Sequence, residues 1–312
     1  MGDGGLCTFG AGMNDRRESR FDVDNDLART LIDSQFRQWS RFPLKKIISS
    51  GTDHTIYRLG DELSVRFPVS TAAADQAAKE QSWLPRMTGF AVAIPKVIGA
   101  GRPTNEFPFA WSVMNWLDGN DATTDAIVDW VKAANDLGQF VTELRNQNSF
   151  GAPMAGKHNA FRGTALVNLD HIARNAIATL GDVFDQANLL HIWEQALDVH
   201  PWTASPVWIH GDIHAANIVV RNGHIAGIID FGLMGVGDPA CDLAPAWSFL
   251  PSHACDTFRA AVDVDDKTWQ RGKGWGLYIG VIALSYYRNR NPILSGIAEK
   301  AIQAVIEDSE SE

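Results

Sequence analysis

Short apolar runs and one alanine-rich segment indicate that the first third of the chain is mostly β. Before them, the stretch DVDNDLARTLIDSQF, residues 22–36, places apolar residues at near-helical spacing behind acidic capping residues, which predicts a helix. The stretch LKKIISSGTDHTIYRLGDELSVRFP, residues 44–68, predicts a strand, a turn at Ser49–Asp53 and a hairpin folded at Gly60–Asp61. Three more elements are predicted to follow, namely an Ala-rich helix over 71–87 and strands within 91–101 and 107–119.

Long amphipathic stretches replace this pattern from about Asp118 onwards. Residues 123–148 and 169–197 each have the apolar periodicity of a helical region. The Gly- and Ala-rich residues 151–164 between them predict a loop. Short strands follow, with a hairpin turn at Asn222–Gly223.

The order of these elements predicts an α+β chain with two lobes. Residues 241–306 are again helical in pattern, with breaks at prolines. We therefore expect a small β-rich N-terminal lobe over 22–114 and a larger, mainly helical C-terminal lobe over 115–312. Residues 1–21 are predicted to be a disordered leader.

Composition and charge exclude several classes of protein. The 312 residues carry a formal net charge of −10, which argues against a generic binder of nucleic acid or of anionic membranes, because both need a basic surface. Cys7, Cys241 and Cys255 form no CxxC pair, so neither a disulfide framework nor a zinc site is expected. No run approaches the roughly 20 apolar residues of a membrane helix, and the leader lacks the features of a signal peptide. The sequence thus predicts a cytoplasmic protein.

The chemistry is concentrated in WIHGDIHAANIVV, residues 208–220, and in GIIDFG, residues 227–232. Asp212 and Asn217 follow one apolar run, and Asp230 ends another. Asp and Asn oxygens suit Mg²⁺, which takes few side-chain ligands plus substrate phosphates. Phosphoryl transfer needs this set, since one carboxylate orients the nucleophile while metal ions neutralise the phosphates. Polar turn residues explain either half alone, but the combined spacing favours a site.

Both motifs resemble those of the aminoglycoside phosphotransferase family of antibiotic and small-metabolite kinases. HGDIHAANI looks like that family's catalytic loop, IIDFG like its metal-binding segment, and GDPACDLA, residues 237–244, like the stretch that follows. GTDHTIYRLGDELSVRFP resembles its nucleotide-covering hairpin and MNWLDG its interlobe connector. The resemblance runs from about Leu27 to Ile306, and it implies a bilobal protein-kinase-like fold.

The resemblance also implies roles for the motif residues. Asp212 is expected to be the catalytic base or the carboxylate that orients the hydroxyl, with Asn217 and Asp230 as Mg²⁺ ligands. His210 and Asp242 are expected to support the loop. Asp238, in the same segment, is expected either to support the loop or to line the acceptor site.

Nucleotide contacts depart from the kinase pattern. The turn lacks G-x-G-x-x-G, so backbone and hydroxyl groups of small residues are expected to hold phosphate. Arg66 stands where most kinases have a phosphate-binding Lys, and Glu80 is its expected partner. The alternative for Arg66 is a strand residue whose stem covers apolar surface. The alternative for Glu80 is a residue on a solvated helix face. Because the expected hinge contacts come from the backbone, ATP and GTP both fit. The expected nucleotide-binding residues are Ser50, Gly51, Thr52, Arg66, Glu80, Met114, Asn115 and Trp116.

The acceptor is less constrained. Acidic residues can bind ammonium groups of an aminoglycoside by charge-assisted hydrogen bonds, and aromatic residues can line an acceptor pocket. The alternatives without a binding role are a solvated run of charges for the acidic residues and core packing for the aromatic residues. The expected acceptor residues are Asp238, Trp247, Asp265 and Asp266.

The leading hypothesis is therefore a Mg²⁺-dependent kinase that phosphorylates a hydroxyl of a small molecule, most simply an aminoglycoside. Alternatives are a macrolide kinase, which Asn217 weighs against, a metabolic kinase for an amino alcohol or sugar, and a non-catalytic nucleotide-binding protein, which Arg66 favours. A protein kinase is disfavoured, since no A-P-E segment follows Asp230. The sequence leaves the oligomeric state open.

Overall fold

A computed structural model of the chain describes residues 20–47 and 53–311 and divides them into two compact units. The first unit contains the described residues up to Met87 together with Pro95–Leu117 and Lys157–Ala160. The second contains Thr88–Ile94, Asp118–Gly156 and the chain from Phe161 onwards. The leader expected over 1–21 lies almost wholly outside the described residues. So do three expected phosphate contacts, Ser50, Gly51 and Thr52.

The first unit is built on a five-stranded antiparallel sheet in the order β1-β2-β3-β5-β4. The hairpin between β2 and β3 turns at Gly60, which has a φ of +62°, and glycine adopts such a left-handed conformation at little cost. The elements are α1 (Asn25–Gln35), β1 (Leu44–Ile47), β2 (His54–Leu59), β3 (Leu63–Pro68), α2 (Thr71–Trp83), β4 (Val97–Gly101) and β5 (Trp111–Asn115).

Aromatic side chains fill the core of this unit. Phe67 on β3 packs against Trp111 on β5 and against Phe107, with ring centroids 4.9 and 5.6 Å away. Helix α1 contributes the buried Leu31 and Ile32 to the same cluster. The β3 strand is buried along its whole length, so a side chain placed on it is held rigidly.

The second unit is mainly helical and carries two small sheets. β7 pairs antiparallel with β10, and a second sheet has the order β6-β8-β9. None of the helices among the described residues is long and apolar enough to cross a membrane. The strands are β6 (Asn120–Asp121), β7 (Val207–Ile209), β8 (Ile218–Arg221), β9 (His224–Ile228) and β10 (Gly235–Gly237). The helices are α3 (Trp130–Arg145), α4 (Asp170–Ala178), α5 (Gln186–Asp198), α6 (Pro245–Ser248), α7 (Ser252–Val262), α8 (Asp266–Tyr287) and α9 (Pro292–Glu310).

Two predicted helical regions are shorter or more divided than their periodicity indicates. The first begins only at Trp130, because the Asp129 side chain caps α3 by accepting from the Lys132 N–H at 2.9 Å. The second is broken into α4 and α5. Gln186 donates to the Ala178 carbonyl at 2.9 Å, at the end of α4, and Asp185 caps the start of α5.

The remaining expectations for the fold class are confirmed. A small antiparallel sheet region precedes a larger helical part, so the chain is α+β with a β-rich and a mainly helical unit. The Asn222–Gly223 turn joins β8 to β9, with Asn222 at φ 54° and Gly223 at φ 78°. This hairpin connects the two motifs of the candidate site.

Candidate active site

The first motif begins where strand β7 ends. Trp208 and Ile209 are buried, with 1% and 0% of their surface exposed. The next residue, His210, leaves the strand and is followed by Gly211 at φ +80°. A side chain at Gly211 would place its Cβ 2.8 Å from the Leu233 carbonyl oxygen, so only glycine fits this turn.

Asp242 fixes the backbone of this turn. Its carboxylate accepts from the His210 N–H at 2.6 Å and from the Gly211 N–H at 2.8 Å. Burial raises the pKa of Asp242 to about 7, and these two backbone donors oppose that rise. Asp242 thus contacts the turn through a pair of side chain-to-backbone hydrogen bonds.

His210 joins the two motifs through its imidazole, which is fully buried. Nδ1 accepts from the Asp212 N–H at 3.2 Å, and Nε2 lies 3.1 Å from the Ile229 carbonyl oxygen, to which it can donate. The ring centroid is 4.5 Å from that of Phe231. Burial lowers the pKa of His210 to about 4, so the ring is neutral at pH 7 and both nitrogens are occupied.

Asp212 is the carboxylate of the first motif, and 28% of its side chain is exposed. Oδ2 lies 3.3 Å from Asn217 Nδ2 and 3.6 Å from His214 Nε2. Burial acts to raise its pKa, but the His214 imidazole, the Arg162 charge and His210 together hold the pKa at about 2. Asp212 therefore stays ionised at neutral pH and can accept a proton or a hydrogen bond.

Asn217 and Asp230 fit the oxygen donor set of Mg²⁺. Asn217 is 7% exposed and donates its amide nitrogen to the Asp212 carbonyl at 2.9 Å, which leaves its amide oxygen as the ligand atom. The Ile229 N–H donates to the Asn217 carbonyl at 2.9 Å and so brings the neighbouring Asp230 to the same part of the unit. Asp230 has left-handed backbone angles, φ 68° and ψ 68°, which Asp tolerates better than most residues. Mg²⁺ usually takes one or two side-chain ligands together with substrate phosphates. Among the described residues no group of three or more His, Cys, Asp or Glu is arranged to hold a metal.

Two residues at this site have no counterpart in the sequence-based hypothesis. His214 lies inside the first motif, and its pKa is raised because the charge and hydrogen bond of Asp212 outweigh its own burial. Arg162 comes from a loop 49 residues earlier and donates from Nε to the Gly211 carbonyl at 3.0 Å. The position of His214 two residues after Asp212 is a usable signal, whereas nothing in the spacing around Arg162 connects it with the motif.

The first unit brings three of the expected nucleotide-binding residues together. Arg66 on β3 donates from Nη1 to both carboxylate oxygens of Glu80 on α2, at 3.0 and 3.2 Å. The same nitrogen lies 3.9 Å from the sulfur of Met114 on β5. Arg66 and Glu80 have side chains only 9% and 1% exposed. Arg66 is therefore not a strand residue that extends its charge to the solvent, and Glu80 does not lie on a solvated helix face.

The expected hinge residues are partly committed to contacts within the first unit. The Trp116 N–H donates to the Glu62 carbonyl at 2.6 Å, and the Asn115 side chain accepts from the Lys96 N–H at 2.6 Å. The Arg58 guanidinium stacks on the Trp116 ring at 4.5 Å. A purine could therefore not use the Trp116 N–H without displacing Glu62.

The four expected acceptor residues occupy different surroundings in the second unit. Both Asp238 oxygens pair with Arg271, at 2.7 and 3.2 Å, and Trp247 is 4% exposed and donates to Asp308. Asp265 caps α8 and lines a surface pocket of about 280 Å³ together with Arg271. Asp266 is 89% exposed and pairs with Arg259 at 2.7 Å. Asp238 and Asp265 thus share Arg271 as a neighbour, whereas Asp266 is exposed and Trp247 is buried.

Comparison with known proteins places the motifs in a family. A family model described as the phosphotransferase enzyme family matches residues 46–275, which is more than half of the chain. An aminoglycoside 3'-phosphotransferase of Salmonella typhimurium is 28% identical over 95 residues. That stretch is 30% of this chain and 35% of the relative, so the chain matches only about a third of the length of this curated relative.

Solved structures share the fold over nearly the whole chain. The GDP complex of an aminoglycoside 2'-phosphotransferase-IIIa superposes with a TM-score of 0.67 at 19% identity, covering 92% of this chain and all of that one. A macrolide 2'-phosphotransferase type I gives a TM-score of 0.58 at 16% identity over 90% of this chain and 98% of that one. At such identities the likeness establishes the fold alone.

Proposed function

Because this chain belongs to the phosphotransferase enzyme family, we propose that it transfers the γ-phosphoryl group of ATP or GTP to a hydroxyl of a small molecule. An aminoglycoside is the proposed acceptor, and Mg²⁺ the proposed metal. The relatives named above are phosphotransferases of aminoglycosides and of a macrolide.

One observation carries the proposal: Asp212 is an ionised, partly exposed carboxylate on a rigid loop. Its pKa of about 2 keeps it charged, and Asn217 and His214 orient it. A general base must be deprotonated and within reach of the hydroxyl proton. Asp212 meets the first condition, and part of its side chain is accessible to an acceptor.

Other residues of the candidate site would bind the metal ion and the nucleotide phosphates. Asn217 and Asp230 would hold Mg²⁺, which when bound neutralises charge on the transferred phosphates. Arg66 keeps the ion pair with a helix glutamate that protein kinases make with a lysine at this strand position. A guanidinium suits phosphate oxygens because it can contact them in bidentate fashion, so the replacement of Lys by Arg is compatible with activity.

The aminoglycoside assignment is supported by charge. A chain with net charge −10 favours a cationic acceptor over an anionic one. Asp266, with its side chain 89% exposed, is the expected acceptor residue best suited to meet an ammonium group directly. Asp238 and Trp247 are buried, so we propose that they shape the acceptor region through Arg271 and Asp308 rather than touch the acceptor.

The test is mass spectrometry of candidate acceptors after incubation with the protein, Mg²⁺ and either ATP or GTP. The panel contains aminoglycosides, macrolides and small amino alcohols, and Asp212→Ala serves as the inactive control. The expected result is a phosphoryl mass gain on an aminoglycoside that is absent with Asp212→Ala. A gain on macrolides alone would move the assignment to a macrolide kinase. No gain on any compound, together with normal nucleotide binding, would favour a non-catalytic nucleotide-binding protein.

A further inference from the structure

Arg162 is a buried cation in direct contact with the catalytic loop. It is 6% exposed, and its Nε donates to the Gly211 carbonyl at 3.0 Å. Its guanidinium carbon lies 5.8 Å from the centre of the Tyr278 ring, within the range of a cation–π contact. The stem of Arg162 also packs on Gly211, since a Cβ added there would come within 3.1 Å of it. The guanidinium thus lies between the Gly211 carbonyl and the Tyr278 ring on α8.

The backbone on both sides of Arg162 has left-handed geometry and packs closely against β7. Phe161 has φ 59° and Gly163 has φ 80°, both in the left-handed region. The Gly163 carbonyl accepts from the Asp238 N–H at 2.8 Å. A Cβ at Gly163 would lie 2.6 Å from Ile209 Cδ1 on β7, so the loop is pressed closely against the strand that leads into the motif. Left-handed geometry at a non-glycine residue such as Phe161 is strained and is kept where surrounding contacts enforce it.

Gly211 is consequently held from both sides. Asp242 accepts from its N–H and Arg162 donates to its carbonyl, so a carboxylate and a guanidinium fix the two backbone groups of one residue. The next residue is Asp212, and its position depends on this peptide. A hydrogen bond from a charged guanidinium is shorter and stronger than one between neutral groups.

We propose that Arg162 is a positioning residue for phosphoryl transfer, which orients Asp212 by clamping the Gly211 carbonyl and places a positive charge beside it. This role rests on the proposed function. It does not require Arg162 to touch either substrate. A misplacement of a reacting group by about 1 Å can cost on the order of 100-fold in rate, so the loss of this clamp should reduce turnover much more than binding.

The experiment compares steady-state kinetics of the wild type with Arg162→Met, Arg162→Gln and Arg162→Lys, using the acceptor found in the mass-spectrometric panel. Arg162→Met keeps the apolar stem and removes both charge and donor. We expect kcat to fall roughly 10- to 100-fold, with KM for nucleotide and acceptor changed by less than about threefold. Arg162→Lys keeps the charge and should recover part of kcat. Arg221→Met, at an exposed arginine on β8, is the matched control and should behave as the wild type.

Thermal unfolding and hydrogen exchange of the peptide 208–217 accompany the kinetics. A folded Arg162→Met with lower kcat, unchanged KM and faster exchange in that peptide supports the role. If Arg162→Met does not fold, Arg162→Gln and Arg162→Lys decide by the same criteria. Turnover within about twofold of the wild type, or equal losses in kcat and in nucleotide affinity, would overturn it. Absence of transfer by the wild type would reject the proposed function, and this role with it, whereas transfer by the wild type with normal Arg162 variants rejects this role alone.

Discussion

The Asp242 carboxylate accepts a hydrogen bond from the Gly211 N–H at 2.8 Å, across 31 residues of sequence. Its other oxygen accepts from the preceding N–H, that of His210, at 2.6 Å. One carboxylate thus satisfies two consecutive backbone donors at the point where β7 leads into the loop that carries Asp212. Because Gly211 needs φ +80° there, these bonds stabilise a conformation that most residues avoid.

Asp242→Asn should loosen this turn. The substitution replaces one acceptor oxygen by a donor that faces a backbone N–H, and an unsatisfied buried group costs about 1 to 3 kcal/mol. We expect a comparable drop in the free energy of unfolding, measured by urea titration, together with a lower kcat. The exposed Asp256→Asn is the control and should stay within about 0.5 kcal/mol of the wild type. Equal stability of the two variants would contradict the supporting role of Asp242.

Asp212 and Asp230 should fail in different ways. Asp212→Ala removes the proposed base and should lower transfer by about 10² to 10⁴-fold while nucleotide affinity stays near normal. Asp230→Ala removes a proposed metal ligand and should also weaken nucleotide binding in the presence of Mg²⁺. Isothermal titration with nucleotide, with and without Mg²⁺, separates the two effects. Near-normal turnover of Asp212→Ala would mean that the catalytic loop is wrongly assigned.

The Arg66–Glu80 pair should be sensitive to loss of either partner. Both side chains are buried, and removing one charge leaves the other uncompensated, at a cost of about 3 to 5 kcal/mol. Glu80→Gln should therefore lower the free energy of unfolding substantially and weaken nucleotide binding through Arg66. The exposed pair Arg174–Glu194, at 3.1 Å, is the control, and Glu194→Gln should cost less than about 1 kcal/mol. If the two variants lowered the free energy of unfolding by similar amounts, burial would not explain the importance of the Arg66–Glu80 pair.

Two glycine-to-alanine substitutions in helices should have opposite effects. Alanine is favoured over glycine in a helix interior by about 1 kcal/mol, and at Gly296 on α9 an added Cβ meets nothing within 4 Å. At Gly138 on α3 the added Cβ would lie 2.6 Å from the Cβ of Ala261 on α7, so the helices would have to separate. We expect Gly296→Ala to raise the melting temperature and Gly138→Ala to lower it. Stabilisation by both would show that α3 and α7 tolerate a wider spacing.

His210 should contribute a loss of stability on the acid side. Its folded pKa of about 4 lies below the ordinary value of 6.5, so the unfolded chain binds a proton that the folded chain does not, and stability falls as pH falls from about 6.5 towards 4. Between pH 7.5 and 5.0 the expected contribution is about 2 kcal/mol.

Urea unfolding at both pH values, for the wild type and His210→Gln, measures this contribution as the difference between two pH dependences. Asp242, with its pKa raised to about 7, titrates in the opposite sense in this range, but it is present in both proteins and cancels. An equal pH dependence of the two proteins would contradict a buried neutral His210.

Much of the first motif could be predicted because its information is local. His210, Asp212 and Asn217 lie within eight residues, and a turn of that length brings its own side chains together. The same holds for the β8–β9 hairpin, where the Asn222–Gly223 turn type follows from residues that accept positive φ. The two helix predictions that needed correction failed at capping residues, Asp129 and Asp185, whose local hydrogen bonds interrupt an otherwise continuous apolar period.

The sequence by itself determined the α+β class, which depends on periodicity, and the family, which depends on short motifs. It also led to the proposed chemistry of Asp212, Asn217 and Asp230, because these residues lie in those motifs. Only the tertiary structure brought Arg162 to Gly211 and paired Asp238 with Arg271, because these partners are 49 and 33 residues apart and nothing in their local sequence encodes the contact. It also decided that Trp247 is buried and Asp266 exposed, since burial depends on what packs against a helix face and not on the residue alone.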